Sequence, residues 1–239
     1  MMKCAMTLAA AATLVSLAAH TSSAADTLVY ANIFETPLGP EWTGAGALES
    51  VQGYSFAGNG ANVFTGTFLR NDSVLIPGSP IPDAQSSTLT LTGLGAHTAV
   101  RLEFLLAIID SWDGINGSPG PDRFGIRIDG VTVFIHIFAI QSGGSSYTPP
   151  PNGQIFSGAA GFSNFNDLGF DMSLEPTLNN IPHSASTMTI EFFASGPGWQ
   201  GSTDESWAID NLRVYTIVPT PGAMGLLGLG ALVAGRRKR

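Results

Sequence analysis

Between Asp26 and Val218 this chain of 239 residues contains neither lysine nor cysteine. The single thiol, Cys4, stands beside Lys3 at the very start and ahead of any apolar segment, where a lipidated cysteine would not be placed. Once a leader is removed, no disulfide, thiol nucleophile or thiolate metal site can form. Charged residues make up only 12% of the chain, about half the usual quarter. They are also unevenly placed. All 18 acidic residues lie between Asp26 and Asp210, against five arginines (Arg70, Arg101, Arg123, Arg127, Arg213), so the body carries −13 while the whole chain carries −8. Phosphate backbones are bound by clustered cations, and a body without them excludes nucleic acid as a partner. Catalytic signatures are missing as well. There is no H-E-x-x-H, no G-x-S-x-G elbow, no Cys/His cluster and no phosphate-binding glycine loop.

Both ends of the chain carry information about delivery. Lys3 followed by the apolar stretch Ala5 to Ala19 and the small residues Ser22 to Ala25 has the order of a signal peptide. The stretch is shorter than the ~20 residues that span a bilayer. Residues 1–25 are therefore expected to form a signal helix removed by signal peptidase, and the chain is expected to be exported. At the other end Pro219 and Pro221 stop any strand, because neither can donate to a ladder. An uncharged Gly222 to Gly235 follows, and then Arg236, Arg237, Lys238 and Arg239. As a helix this segment covers ~21 Å at 1.5 Å per residue, against a hydrocarbon core of ~30 Å. Insertion would need thinning or snorkelling, with the cations kept on the cytoplasmic side.

Pro219-Thr220-Pro221, the short Gly/Leu/Ala-rich span and the terminal basic cluster resemble the PEP-CTERM sorting signal of Gram-negative-type bacteria. Thr220 stands where that motif carries a central glutamate. The resemblance implies residues 218–239 as a sorting segment that enters the membrane transiently. It further implies an exosortase-type enzyme as a partner, a cell-surface or extracellular-matrix destination, and a producer that makes extracellular polysaccharide.

Residues 26–217 show no helical periodicity. Short alternating or apolar runs are separated by Gly, Pro, Ser and Asn, which predicts an all-β domain. "STLTLT" alternates, with Leu89 and Leu91 on one face. Ala99 to Ile109 is apolar on both faces in its second half and is expected to be central. Asp129-Gly130 supplies a tight hairpin turn. "TMTIEFF" alternates on Met188, Ile190 and Phe192, and the run from Ser206 to Val218 should pack through Ile209, Leu212, Val214 and Tyr215. Many strands without a helix between them predict a β-sandwich, most simply a jelly roll. "IIDSWDGINGSPGPDRFGIRIDG" and "STDESWAIDNLRVY" are similar to pieces of concanavalin-like and MAM-type jelly-roll domains, which implies a lectin-like fold and no particular ligand.

Three kinds of chemistry can be weighed on these residues. A glycosidase needs paired carboxyls on one face. Glu205 and Asp210 fall on opposite faces of a regular strand, so a non-enzymatic role is expected. His97, His136 and His183 read singly as surface or core-satisfied residues. The acidic group is more informative. Asp110, Asp113 and Asp122 flank the loop "DSWDGINGSPGPD", with Asn116 inside it, while Asp204, Glu205 and Asp210 crowd the start of the last strand. Calcium takes six to eight oxygen ligands, and these six acids are candidate ligands for a structural Ca2+. The competing reading is that they are ordinary turn residues. Trp112 and Trp199, in Gly-rich loops, are candidate platforms for stacking on a sugar, whereas Trp207 alternates with Ile209 and is expected in the core. Two functions remain: a structural protein of the cell surface or matrix, and a carbohydrate-binding, lectin-like module stabilised by calcium with extracellular polysaccharide as its partner.

Overall fold

The computed structural model describes residues 25–50, 58–59, 62–64, 66–78, 83–140, 143–158 and 166–218. Apart from Ala25 and Val218, which belong to strands, the signal segment and the sorting segment, with Pro219, Thr220, Pro221 and the four terminal cations, lie outside them. Among the described residues no helix is long and apolar enough to cross a membrane.

The chain begins with β1 (Ala25–Asn32), β2 (Trp42–Gly44), β3 (Ala47–Ser50), β4 (Gly58–Asn59), β5 (Asn62–Val63) and β6 (Thr67–Asn71). It continues through β7 (Ser87–Thr92), β8 (Ala99–Asp110), β9 (Arg123–Ile128) and β10 (Val131–Ile137). Then come β11 (Gln154–Gly158), β12 (Asp167–Asp171), β13 (Ile181–Pro182), β14 (Thr187–Ser195) and β15 (Glu205–Val218). Two single 3₁₀ turns, Met172–Leu174 and Pro176–Leu178, stand between β12 and β13. One large sheet has the order β11-β12-β8-β15-β6-β3, with β1 also on β15 and β13 also on β8; the other large sheet runs β10-β9-β14-β7-β2, and β4 and β5 pair with each other as a small third sheet. All the pairings are antiparallel. The two inner faces meet in one core, where Phe104 packs edge-on against Phe192 at 5.5 Å and Phe124 against Trp207 at 5.2 Å. The architecture is an all-β sandwich.

The alternating runs behave as their period requires. Leu89 and Leu91 point inward from β7, as do Met188, Ile190 and Phe192 from β14 and Ile209, Leu212 and Val214 from β15. Tyr215 is only half-buried and lies under the Arg101 guanidinium, 4.0 Å from its ring centroid. The turn Asp129-Gly130 has φ of 49° and 77°, the left-handed pair that a tight hairpin needs. β8 is central, and its double-sided hydrophobicity has a second cause. Val100, Leu102, Phe104, Leu106 and Ile108 enter the sandwich core, while Leu105, Ala107 and Ile109 form a smaller cluster with Phe64, Phe68 and Ala208 on the outer face.

Two consequences of this frame position the rest. The solvent face of the second sheet is a field of threonines. Thr90 and Thr189 are cross-strand partners, as are Thr92 and Thr187, and Thr43 pairs with Thr88. Thr43, Thr90, Thr92 and Thr187 are exposed. In addition, β8 spans twelve residues, or about 36 Å at ~3.3 Å per residue, so the loops at its two ends form two separate poles.

Candidate metal centre

The pole at the C-terminal end of β8 gathers three of the six acidic candidates. One carboxylate oxygen each from Asp113, Asp122 and Glu205 lies within 4.8 Å of the others. Glu205 opens β15, Asp122 immediately precedes β9, and Asp113 belongs to the loop between β8 and β9. Backbone contacts hold that loop closed: Asp122 N–H donates to the Asp113 carbonyl at 2.9 Å, and Asp113 N–H donates to Asp122 Oδ2 at 2.6 Å. Gln200 N–H donates to Glu205 Oε2 at 2.7 Å. The two loops also touch through glycine backbone. A Cβ on Gly198 would stand 2.1 Å from the Gly120 nitrogen, so no larger residue fits there.

Asp122 and Glu205 are both fully buried. Their remaining oxygens, Asp122 Oδ1 and Glu205 Oε1, are buried with no donor reaching them. A buried, donorless carboxylate is costly, and two together are worse unless a proton or a cation joins them. Burial pushes the Asp122 carboxyl up to about 6, with the charges of Asp113 and Asp204 adding to it, and burial pushes the Glu205 carboxyl up to about 8, with the charge of Asp122 adding to it. Asp113 is raised too, by desolvation and then by Asp204. Three oxygen donors, no nitrogen or sulfur, and uncompensated negative charge form a donor set suited to a hard cation such as calcium.

The other three acids do different work. Asp110 sits at φ 79°, and its N–H donates to Asp167 Oδ1 at 3.0 Å. Asp204 accepts from the Ser111 hydroxyl at 2.5 Å and contributes only its field. Asp210 lies at the register shift of β15, where its Oδ1 accepts from Asn211 N–H at 2.7 Å. The Asn211 side chain then holds the covering strand β5 by donating to Asn62 Oδ1 and to the Val63 carbonyl. Of the six candidate ligands, the structure brings Asp113, Asp122 and Glu205 together and places Asp110, Asp204 and Asp210 outside that group. Asn116 is exposed and is not a member of the cluster.

The structure places both candidate tryptophans in the interior. Trp112 is 0% and Trp199 3% exposed. Their rings meet edge to face at 4.9 Å, Trp112 Nε1 donates to the Ser206 carbonyl, and Trp199 Nε1 to the Ser73 carbonyl. Neither ring face is open to a sugar. Gly-rich loops suggested exposure, but here the glycines let backbone pack closely around the indoles.

No family model matches this chain, and no curated protein matches it. Solved structures with a related chain trace include the xylan-binding CBM22-1 domain of Paenibacillus barcinonensis Xyn10C, 11% identical, covering 83% of this chain and 100% of that one at a TM-score of 0.36. The K3 cleaved adhesin domain of Lys-gingipain from Porphyromonas gingivalis is 9% identical, covering 79% and 98% at a TM-score of 0.37. At such TM-scores the likeness is one of a general β-rich trace, and what those proteins bind is theirs.

Proposed function

We propose that the chain is an exported, non-catalytic β-sandwich module of the bacterial cell surface, lectin-like in design, completed by a structural calcium ion and directed at extracellular polysaccharide. The observation that carries the calcium is the pair of buried, donorless oxygens on Asp122 and Glu205. Asp113, Asp122 and Glu205 would hold the ion, and backbone carbonyls and water would complete its shell. Bound there, the ion supplies the positive charge that lets both buried carboxyls stay ionised, and it fastens the loop after β8 to the start of β15. The burial of the same two carboxyls speaks against a hydrolytic reading, which needs a glycosidic oxygen within their reach.

The polysaccharide partner is supported by the threonine field rather than by the tryptophans. Threonine offers a hydroxyl that donates and accepts, beside a methyl that can lie on a sugar C–H face. An acidic body without lysine limits nonspecific attraction to anionic surfaces. Replacing Thr90 and Thr92 together by valine keeps shape and strand preference but removes the hydroxyls. On a glycan array read with calcium present, the double variant is expected to lose about tenfold or more in binding, equivalent to about 1.4 kcal/mol, with its melting temperature unchanged. No binding by the parent protein would favour the second reading, a purely structural matrix protein.

Delivery rests on the Pro219-Thr220-Pro221 segment and its basic end. Intact mass of the protein recovered from the producing cell's surface is expected to correspond to a chain that starts near Ala25 and lacks the residues beyond Pro221. A mass that includes Arg236 to Arg239 would remove exosortase processing from the proposal.

A further inference from the structure

At one side of the sandwich a link of two residues, Ala45-Gly46, carries the chain from one large sheet to the other. It joins β2, at the edge of its sheet, to β3, at the edge of the facing one. Sheets packed face to face stand about 10 Å apart, so the chain turns sharply to cross. Gly44 and Gly46 make those turns at φ 90° and 104°, where a side chain is strained. A Cβ on Gly44 would also stand 2.1 Å from the Ser86 carbonyl oxygen. The wall of the sandwich is here reduced to little more than backbone.

Beside that wall lies a cleft of about 60 Å³. Leu38, Trp42 and Leu69 form its apolar lining, and the segment from Thr43 to Gly46 forms its polar side. Both sides are held in place. Trp42 Nε1 donates to the Tyr30 hydroxyl at 2.7 Å, with Phe34 edge-on at 5.8 Å and Phe192 stacked at 6.3 Å. Ala45 N–H donates to the Ser86 carbonyl, and the Ala45 carbonyl accepts from the Ser87 hydroxyl. The cleft is thus preformed, as small-molecule sites usually are.

Size and charge limit what can enter. One water occupies about 10–15 Å³ of a cavity, so the cleft holds about four or five water-sized groups. Pockets that enclose a whole drug-sized ligand run to about 300–1,000 Å³, so a sugar ring is excluded and a substituent on it fits. None of the lining residues is charged, and a carboxylate or sulfate substituent would lose its hydration without gaining a partner. A lone methyl group would leave most of the space empty. The cleft opens beside Thr43, the cross-strand partner of Thr88, and so at the border of the threonine field.

The geometry points to an acetyl-recognition subsite, in which the cleft takes the acetyl substituent of a sugar whose ring lies on the threonines. The acetyl methyl meets Leu38, Trp42 and Leu69, and its carbonyl faces the polar side, where the Thr43 hydroxyl can donate. This inference rests on the polysaccharide reading and adds which sugars are selected.

The test measures binding of the calcium-loaded protein to a tetramer of N-acetylglucosamine and to the glucose tetramer of the same linkage, which has hydroxyls in place of the acetamido groups. The acetylated tetramer is expected to bind at least about tenfold tighter, the scale of a small group in an apolar pocket. Ala45→Leu fills the cleft while keeping both backbone bonds, and is expected to erase that difference. An O-acetylated glucose tetramer separates the two sources of the group. Tight binding of both acetylated forms assigns recognition to the methyl and carbonyl, and tight binding of the N-acetyl form alone adds the amide N–H; either supports the subsite. Equal affinity of the parent protein for acetylated and unacetylated tetramers overturns it, as does a preference that survives in Ala45→Leu. If that variant does not fold, NMR of the parent protein with methyl N-acetylglucosaminide decides. Shifts of the Leu38 and Leu69 methyls and the Trp42 indole support the cleft. Shifts confined to the threonines overturn it and leave the polysaccharide reading standing, whereas no shift together with no binding to any glycan overturns both.

Discussion

Adding millimolar calcium to chelator-treated protein is expected to raise its unfolding midpoint by about 5–10 °C. An ion present at a hundred times its Kd contributes about 2.7 kcal/mol, and a domain of this size shifts by about 2–4 °C per kcal/mol. The substitution pattern separates a bound ion from general charge screening. Glu205→Gln removes a donor and also a buried negative charge. It is expected to abolish the calcium response while leaving the chelated protein as stable as before or more so, because the uncompensated carboxylate is gone. Asp110→Ala and Asp210→Ala are expected to lower the baseline and keep the response, since both residues serve backbone contacts elsewhere. The chelated protein should also respond to pH. Asp122 and Glu205 are raised to about 6 and about 8 when folded, against about 4 for ordinary carboxyls. The folded state therefore binds more protons than the unfolded one, and stability present near pH 4 is lost as pH rises through 6 to 8. Calcium should flatten that slope. Identical melting curves with calcium and with chelator, at about pH 8, would sink the metal centre.

Trp112→Ala is expected to cost about 3–5 kcal/mol in urea-induced unfolding, the range for truncating a fully buried aromatic side chain. Trp112 fills the space between Phe138 and Trp199 and ties its indole N–H to β15 through the Ser206 carbonyl. Its backbone carbonyl also accepts from Ile140 N–H. Truncation leaves a cavity and an unmet carbonyl beside the acidic cluster, so calcium affinity should weaken together with stability. Trp112→Phe should lose less, because the ring contacts survive and only the indole hydrogen bond is removed. A sugar platform would behave in the opposite way, losing ligand with its stability intact, and that result would reverse the assignment of Trp112 to the core.

The contact between His97 Nε2 and His183 Nδ1, at 2.7 Å, and the acidic cluster differ in how much of each could be read along the chain. Asp113, Asp122 and Glu205 belong to short acidic stretches, so composition and loop chemistry brought them forward together with three acids that proved structural. Only convergence in space sorted the six, because Asp210, as buried as Asp122 and Glu205, accepts from backbone away from the cluster and has the same sequence signature. His97 and His183 carried no signal at all. Each alone is an unremarkable turn or post-proline residue, and nothing local relates a position before β8 to one after β13. The tryptophans failed for a related reason, since glycine in a loop announces conformational freedom and says nothing about whether that freedom exposes a ring or packs backbone against it.

By itself the sequence determined the strand periods, the Asp129-Gly130 turn, the core faces of β7, β14 and β15, and the absence of thiol and lysine chemistry, because these depend on neighbours one or two positions apart. It also carried the terminal segments that bear on delivery. The tertiary structure decided which carboxylates converge, that Trp112 and Trp199 are core, and that two distant histidines meet. Those are contacts made by antiparallel pairing across two sheets, and their energies depend on desolvation, which exists only once the layers have closed.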